Sequence, residues 1–271
     1  MTDSFEAFRD GEALRGDDFT DTEIEQWFAD EEEGYANLGA KDKGKYHYVY
    51  HQLNTLSCFR FLDRQSTYPN VLGFGSAYGD EFLPIIDQIG ELTIVDPSEH
   101  FVSNEVHGRK CRYVKPSVNG ALPFPEQEFD LAVCFAALHH VPNVSTVVTE
   151  IARVLKPGGT LLVREPIVSM GDWSRPRSGL TKNERGIPLK IFRKIVQSAG
   201  FEIRHETLFG FRAVPVLARK LGLSTYNDKR MTKLDFMLSR AFRWNYRYHA
   251  TSTFSKLRPV AAALVLHKRE Q

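Results

Sequence analysis

The chain has 271 residues, and its 35 lysines and arginines nearly balance 34 aspartates and glutamates. That length suits one large α/β domain with elaborations and excludes two full catalytic domains, while the near-neutral charge gives no ground for nucleic-acid binding. The three cysteines, Cys58, Cys111 and Cys134, have no CxxC spacing and leave an odd number, which argues against a disulfide framework or a zinc site.

The acidic start lacks the basic and then apolar order of a signal peptide, and no apolar run approaches the roughly 20 residues that span a bilayer. A cytoplasmic protein is the expectation. Charge is uneven along the chain: residues 1–33 carry thirteen acidic and two basic side chains, and residues 211–271 carry thirteen basic and three acidic ones. Solvated peripheral helices and a functional contact both account for such polarity.

The first dozen residues hold little apolar content and are expected to be mobile. Thr22 and Glu25 suit a capping box for a short helix containing Ile24, Trp27 and Phe28. A second helix is predicted from Tyr46, Val49, Tyr50, Leu53 and Leu56, with His47, His51, Asn54 and Cys58 on a neighbouring polar stripe. From Asn70 onward short apolar strands alternate with helical segments: Val71 to Phe74, Leu92 to Val95, Cys111 to Val114, Phe129 to Phe135 and Thr160 to Val163.

The strongest amphipathic helix carries Val144, Val147, Val148, Ile151, Val154 and Leu155 and is stopped by Pro157-Gly158-Gly159. Another follows Pro188 with Leu189, Phe192, Ile195, Val196 and Ala199 on one face, before strands Phe201 to Leu208 and Ala261 to Leu266. Strands that feed helices returning to one sheet give right-handed crossovers, with ligands at the carboxyl ends of the strands. The expected fold is α/β: a doubly wound, mostly parallel seven-stranded sheet with N-terminal cap helices and a helical insertion before the last strand. Residues 1–66 are assigned to the cap, 67–211 to the core, and 212–271 to the insertion and final strand, with the insertion covering the acceptor pocket.

The segment Val71-Leu72-Gly73-Phe74-Gly75-Ser76-Ala77-Tyr78-Gly79 is a strand entering a glycine-rich turn, followed by a predicted helix from Asp80 to Ile89. The third glycine falls one position late for the nicotinamide fingerprint G-x-G-x-x-G, which disfavours an oxidoreductase. Asp96 ends the second strand, in Ile94-Val95-Asp96-Pro97-Ser98, where a carboxylate can accept both hydroxyl protons of a ribose.

These segments, together with Leu122-Pro123-Phe124, Phe129-Asp130-Leu131 through Leu138-His139-His140-Val141-Pro142, and Ala152-Arg153-Val154-Leu155-Lys156-Pro157-Gly158-Gly159, resemble class I S-adenosylmethionine-dependent methyltransferases, particularly the ubiquinone/menaquinone-biosynthesis-type branch. The resemblance covers about residues 70–209. It implies S-adenosylmethionine as cofactor, bound by Gly73, Gly75, Ser76, Gly79, Asp96, Pro97, Ser98, Asn119 and Phe135, with Phe135 to Ala137 lining the methyl-transfer channel. Two positions depart from the family's pattern: Gly73 stands where an acid is usual, and Ala77 where a glycine is usual.

Methyl transfer needs alignment above all, and an acceptor hydroxyl must also lose its proton. His139 is the first candidate for that proton, with His140 bracing the following helix; His47 and His51 are the second candidates, since helices ahead of the first strand close over the cofactor in enzymes the chain resembles. His47 and His51 also have i, i+4 metal spacing but no recognisable third ligand, so no metal is expected. In the insertion, Leu234, Met237, Ala241, Trp244 and Tyr248 form a predicted apolar face, and Lys233, Arg240, Arg243 and Arg247 a cationic one. A solvated face, a phosphate-bearing acceptor and peripheral contact with anionic membrane through residues 233–248 remain open for it. The functional expectation is an O-directed methyltransferase for a small-molecule, glycan or lipid-linked acceptor; the alternative is a binding protein that has lost catalysis.

Overall fold

The structure is a computed structural model and describes residues 2–37, 41–171, 175 and 177–270. Eight strands form one sheet: β1 (Tyr68–Phe74), β2 (Ile89–Val95), β3 (Glu105–Val106), β4 (Arg109–Val114), β5 (Phe129–Phe135), β6 (Leu155–Pro166), β7 (Phe201–Phe209) and β8 (Ala261–Lys268). Their spatial order is β3-β4-β2-β1-β5-β6-β8-β7, and β8 runs antiparallel to both its neighbours. Seven of these strands are the predicted ones. β3 is an addition of two residues, paired antiparallel with β4 through a turn in which His107 and Gly108 both take positive φ. Two residues are too few to show a period, so the hairpin leaves only its turn as a signal.

The central strands are buried on both faces, which is why they read as apolar runs: β5 and β8 are almost wholly inaccessible. Helices α4 (Val144–Val154) and α5 (Leu189–Ser198) pack one face through Val144, Val148, Ile151, Phe192 and Val196. The other face is covered by α3 (His51–Ser57) and by residues 80–88, through Leu53, Phe59, Phe82 and Ile85. Residues 80–88 coil as a 3-10 helix instead of the predicted α-helix, because Pro84 within them has no N–H to donate.

At the N-terminus a helix, α1 (Thr2–Asp10), replaces the expected mobile segment. The capping box of α2 (Asp21–Glu31) is Thr20 with Glu23, two residues earlier than predicted: the Glu23 carboxylate accepts the Thr20 backbone N–H at 2.9 Å and its hydroxyl at 2.8 Å. The helix predicted from Tyr46 begins only at His51, and residues 46–50 precede it outside any helix or strand. Contacts from the distant insertion hold this segment open. The Asn227 side chain accepts the His51 N–H at 2.8 Å and donates to the Tyr48 carbonyl at 3.0 Å, and Tyr226 stacks on Tyr50 at 5.7 Å.

The insertion contains α6 (Ala213–Lys220) and α7 (Lys229–Ala241), but α7 turns the opposite face inward from the one its hydropathy predicts. Thr232, Asp235 and Ser239 are buried, while Met237 and Trp244 are 60% and 66% exposed beside Lys233, Arg240 and Arg243. Hydrogen bonds decide the orientation: the Asp235 carboxylate accepts the N–H groups of Gly210 and Phe211, both at 2.7 Å, as the chain leaves β7. Among the described residues, no helix is long and apolar enough to cross a membrane.

Candidate active site

A cavity of about 440 Å³ opens at the carboxyl ends of β1, β2 and β5, where the strand order reverses. Its wall begins with the turn after β1. Gly75 takes φ +64°, and a Cβ there would collide with that of Ala137; Ala77 takes φ +43°, a left-handed conformation that costs a non-glycine residue about 1 kcal/mol. Asp96 fixes this turn to the end of β2, since its carboxylate accepts the N–H groups of Ala77 at 3.0 Å and Ser98 at 3.1 Å. Burial raises Asp96 to about 6 against the pull of those two hydrogen bonds.

Of the residues expected to meet cofactor or acceptor, Gly75, Ser76, Asp96, Pro97, Ser98, Phe135 and His139 line the cavity. Five others do not. Gly73 lies beneath the turn, where a Cβ would stand 2.5 Å from the Ser76 hydroxyl, so no acidic side chain fits there unless the turn shifts. Gly79 packs toward Val106 of β3 instead of the cavity. Asn119 is exposed and spends its side-chain oxygen on the Ala121 N–H at 3.0 Å, leaving Ser117, Val118 and Gly120 to form that edge. His47 is exposed, and His51 sits outside the cavity with Asp80 and His107 as its nearest charges. Because residues 46–50 are not helical, the i, i+4 relation of the two histidines is never realised.

The cavity also contains residues that sequence patterns do not reveal. Glu81, two positions beyond Gly79, is buried against it, and burial raises its carboxyl to about 7. It puts a carboxyl on the wall whose turn lacks an acid at Gly73. A signal for it existed: an acidic residue in the first turn after a glycine loop faces the same ligand as the loop. Arg164, also buried, lies over Tyr50 at 4.6 Å and Phe135 at 5.4 Å. Tyr46, Tyr48 and Tyr50 alternate along their segment and line the opposite wall with Tyr35.

The far end of the cavity is polar. His139 Nδ1 lies 2.7 Å from Glu165, and its Nε2 lies 3.3 Å from Glu184. Burial disfavours the imidazolium, but hydrogen bonds to Glu165 and Glu184 outweigh it and raise His139 to about 9. Burial likewise opposes ionisation of Glu184, yet His139 and His140 bring it down to about 2. His140 Nδ1 faces Glu31 at 3.0 Å and the Thr181 hydroxyl at 3.2 Å, so it braces α2 and the 181–184 loop rather than the helix that follows it. The cover over this end comes from α2 and that loop. Among the described residues of the insertion, none lines the cavity; its link is the stack of Tyr226 on Tyr50.

The buried Glu81 permits a direct test of the electrostatics. A carboxyl whose folded value lies above its unfolded one adds stability below the unfolded value and loses it as pH rises through the folded value, here between 4.5 and about 7. Glu81→Gln, which carries no charge at any pH, should match the native ligand-free chain at about pH 4, below the unfolded value. At pH 8 it should exceed it by up to about 3 kcal/mol in urea unfolding. A difference independent of pH would show that Glu81 is not held protonated.

Residues 72–163 match the family described as a methyltransferase domain. Within the chain, 111 residues are 31% identical to the sterol 4-C-methyltransferase strm-1 of Caenorhabditis elegans, covering 38% of this chain and 33% of that protein. The ubiquinone/menaquinone biosynthesis C-methyltransferase UbiE of Shewanella pealeana is 33% identical over 107 residues, 35% of this chain and 41% of that one. The ubiquinone biosynthesis O-methyltransferase of Dechloromonas aromatica is 43% identical over 56 residues, 21% and 24% of the two chains. The chain thus spans about a quarter to two-fifths of the length of these curated relatives.

Among solved structures, an S-adenosylmethionine-dependent methyltransferase from Mesorhizobium loti superposes with a TM-score of 0.51 at 16% identity, over 77% of this chain and 94% of that one. The [4+2]-cyclase SpnF superposes at 0.57 and 18% identity, over 93% and 98%. These likenesses establish the fold, and the cyclase shows that the fold also carries other chemistry. Residues 72–163 thus carry the similarity to methyltransferase domains, and on the fold shared with these structures they bring the glycine turn and Asp96 to one cavity.

Proposed function

We propose that the protein transfers a methyl group from S-adenosylmethionine to an oxygen of a small-molecule acceptor, with lipid-linked and glycan acceptors in the same class. The observation that carries this reading is the shape of one cavity: a cofactor wall at Gly75 to Ala77 and Asp96, and a carboxylate-imidazole end at His139 and Glu184. The residues fit the cofactor. Asp96 is placed to accept ribose hydroxyls, and the buried Ser76 hydroxyl stands beside Glu81 on the same wall. Glu81 offers a carboxylate for the amino group. Bound S-adenosylmethionine supplies an electrophilic methyl group.

The chain's own residues align the acceptor and deal with its proton. Tyr46, Tyr48, Tyr50 and Phe135 give aromatic walls that suit a flat or apolar acceptor and exclude water. The polar end favours oxygen over carbon, because an aromatic or aliphatic carbon would leave His139 and Glu184 without a function in the reaction. In this reading residues 1–66 close the cavity, 67–211 hold the cofactor, and 212–271 brace Tyr50 from outside. The outward Met237 and Trp244, set among cations on and beside α7, favour a lipid-linked acceptor within the class. The protein is placed in the cytoplasm.

Loss of catalysis is the alternative suggested by Gly73 and Ala77, and the buried Glu81 beside the turn favours the active reading over it. The test is turnover with S-adenosylmethionine labelled with ¹³C in the methyl group, against phenolic and lipid-linked hydroxyl acceptors. The ¹³C shift of the product separates O-, N- and C-methyl groups. An O-methyl signal is expected; a C-methyl product overturns the regiochemistry, and failure of the chain to bind the cofactor overturns the whole reading.

A further inference from the structure

We propose that the polar end of the cavity is a binding site for one divalent metal ion of borderline softness, zinc or manganese in character, held by His139, His140 and Glu184 with Glu31 beside them. This rests on the O-methyltransferase reading and deepens it. One ligand atom from each of His139, His140 and Glu184 lies within 4.8 Å of the others, and His139 Nε2 stands 3.3 Å from Glu184 Oε1. Metal–nitrogen and metal–oxygen bonds of about 2.1 Å place tetrahedral ligands roughly 3.4 Å apart, so this edge is already the right length and the third ligand has to close in by at most about 1.4 Å.

Three further features point to a cation. Metal-binding histidines characteristically give their second ring nitrogen to a carboxylate, and His139 does so to the buried Glu165 at 2.7 Å. Three carboxylates, Glu31, Glu165 and Glu184, surround the two rings, which can offset at most two of their charges. The adjacent guanidinium of Arg185 donates to the backbone carbonyls of His139 at 3.0 Å and Val141 at 2.9 Å rather than to these carboxylates. The ligand set combines imidazole with carboxylate, which selects zinc or manganese over magnesium or calcium.

The site would complete the chemistry of the acceptor. His139 Nε2 and Glu184 Oε1 occupy each other, so the two must part before either can take the acceptor's proton. A cation between them would take the place of that contact and bind the acceptor's oxygen as a Lewis acid, lowering the pKa of the hydroxyl before its lone pair attacks the methyl group. The hydroxyl proton leaves to solvent when the oxygen binds.

Chelator-treated full-length protein, titrated with cobalt(II) and followed by its visible absorption, tests the site, with zinc competition as a second readout. One cobalt per chain is expected, displaced by zinc, with affinity reduced at least about tenfold in both His139→Ala and Glu184→Gln. S-adenosylhomocysteine should still stabilise both variants thermally, which reports that they are folded. If His139→Ala does not fold, Glu184→Gln decides. Absence of cobalt and zinc binding at about 0.1 mM, or binding that neither variant weakens, overturns the proposal. A native chain that binds metal but not S-adenosylhomocysteine overturns the methyltransferase reading instead.

Discussion

Asp96→Ala is expected to weaken S-adenosylhomocysteine binding about 100-fold, measured by calorimetry at pH 7.5, while leaving the ligand-free fold intact. The size follows from the site. A carboxylate that accepts two ribose hydroxyls makes two charge-assisted hydrogen bonds, each worth about 1.5–3 kcal/mol, and a loss of about 2.7 kcal/mol corresponds to 100-fold. Fold survival follows from the same geometry. The amides of Ala77 and Ser98 lose their acceptor, but the cost of holding a buried charge disappears with it. Because burial raises Asp96 to about 6, the native affinity should itself fall as pH drops through 6, where the protonated carboxyl loses acceptor capacity. The Ala variant should lose the part of this dependence centred near 6 and keep only the part set by Glu81 near 7. An affinity change below about threefold would remove Asp96 from the cofactor site.

Asp96 was legible in the sequence because it belongs to a local pattern, a strand ending in an acid one unit after a glycine turn. The same holds for the strands and for α4, whose apolar periods are set by burial against one continuous sheet. What was not legible depends on partners far along the chain. Tyr46, Tyr50 and Leu53 satisfy helical spacing, while Tyr46, Tyr48 and Tyr50 also satisfy an extended period of two. The choice is made by Asn227 and Tyr226, more than 170 residues away. In α7 hydropathy places Met237 and Trp244 inside, but Asp235 finds two backbone amides there and takes the interior instead. Hydropathy assigns a cost to a buried carboxylate without seeing its partners.

The polar end of the cavity is the extreme case. His139 and His140 follow β5, Glu165 lies in β6, Glu184 sits on a loop beyond it, and Glu31 ends α2. No spacing rule connects these positions; only the sheet order and the return of the N-terminal helix bring them together. Even Glu31, within the run Glu31-Glu32-Glu33, is distinguished from its neighbours by contacts with His140 and the Asn183 backbone, not by anything local.

Glu165 should therefore be among the costliest single residues to remove. It is 1% exposed and accepts four N–H groups: one oxygen takes those of Ala137 at 3.0 Å and Leu138 at 2.9 Å, and the other takes the His139 amide at 3.3 Å and ring nitrogen at 2.7 Å. Glu165→Ala leaves these donors buried without an acceptor, at about 1–3 kcal/mol each, so the loss should reach at least about 4 kcal/mol and lower the melting temperature by roughly 10 °C. Cofactor affinity should fall with it, because Ala137 packs directly against the Gly75 turn. Glu165→Gln separates the two roles. Its carbonyl oxygen can keep the Ala137 and Leu138 amides, which preserves the turn, but its NH2 group then faces His139 Nδ1 and forces that nitrogen to accept. The expected cost is about 2 kcal/mol in urea unfolding, with S-adenosylhomocysteine binding largely retained and methyl transfer lost as His139 is reoriented. If Glu165→Ala unfolds less than about 1 kcal/mol more easily than the native chain, the carboxylate is not the anchor of the β5 turn.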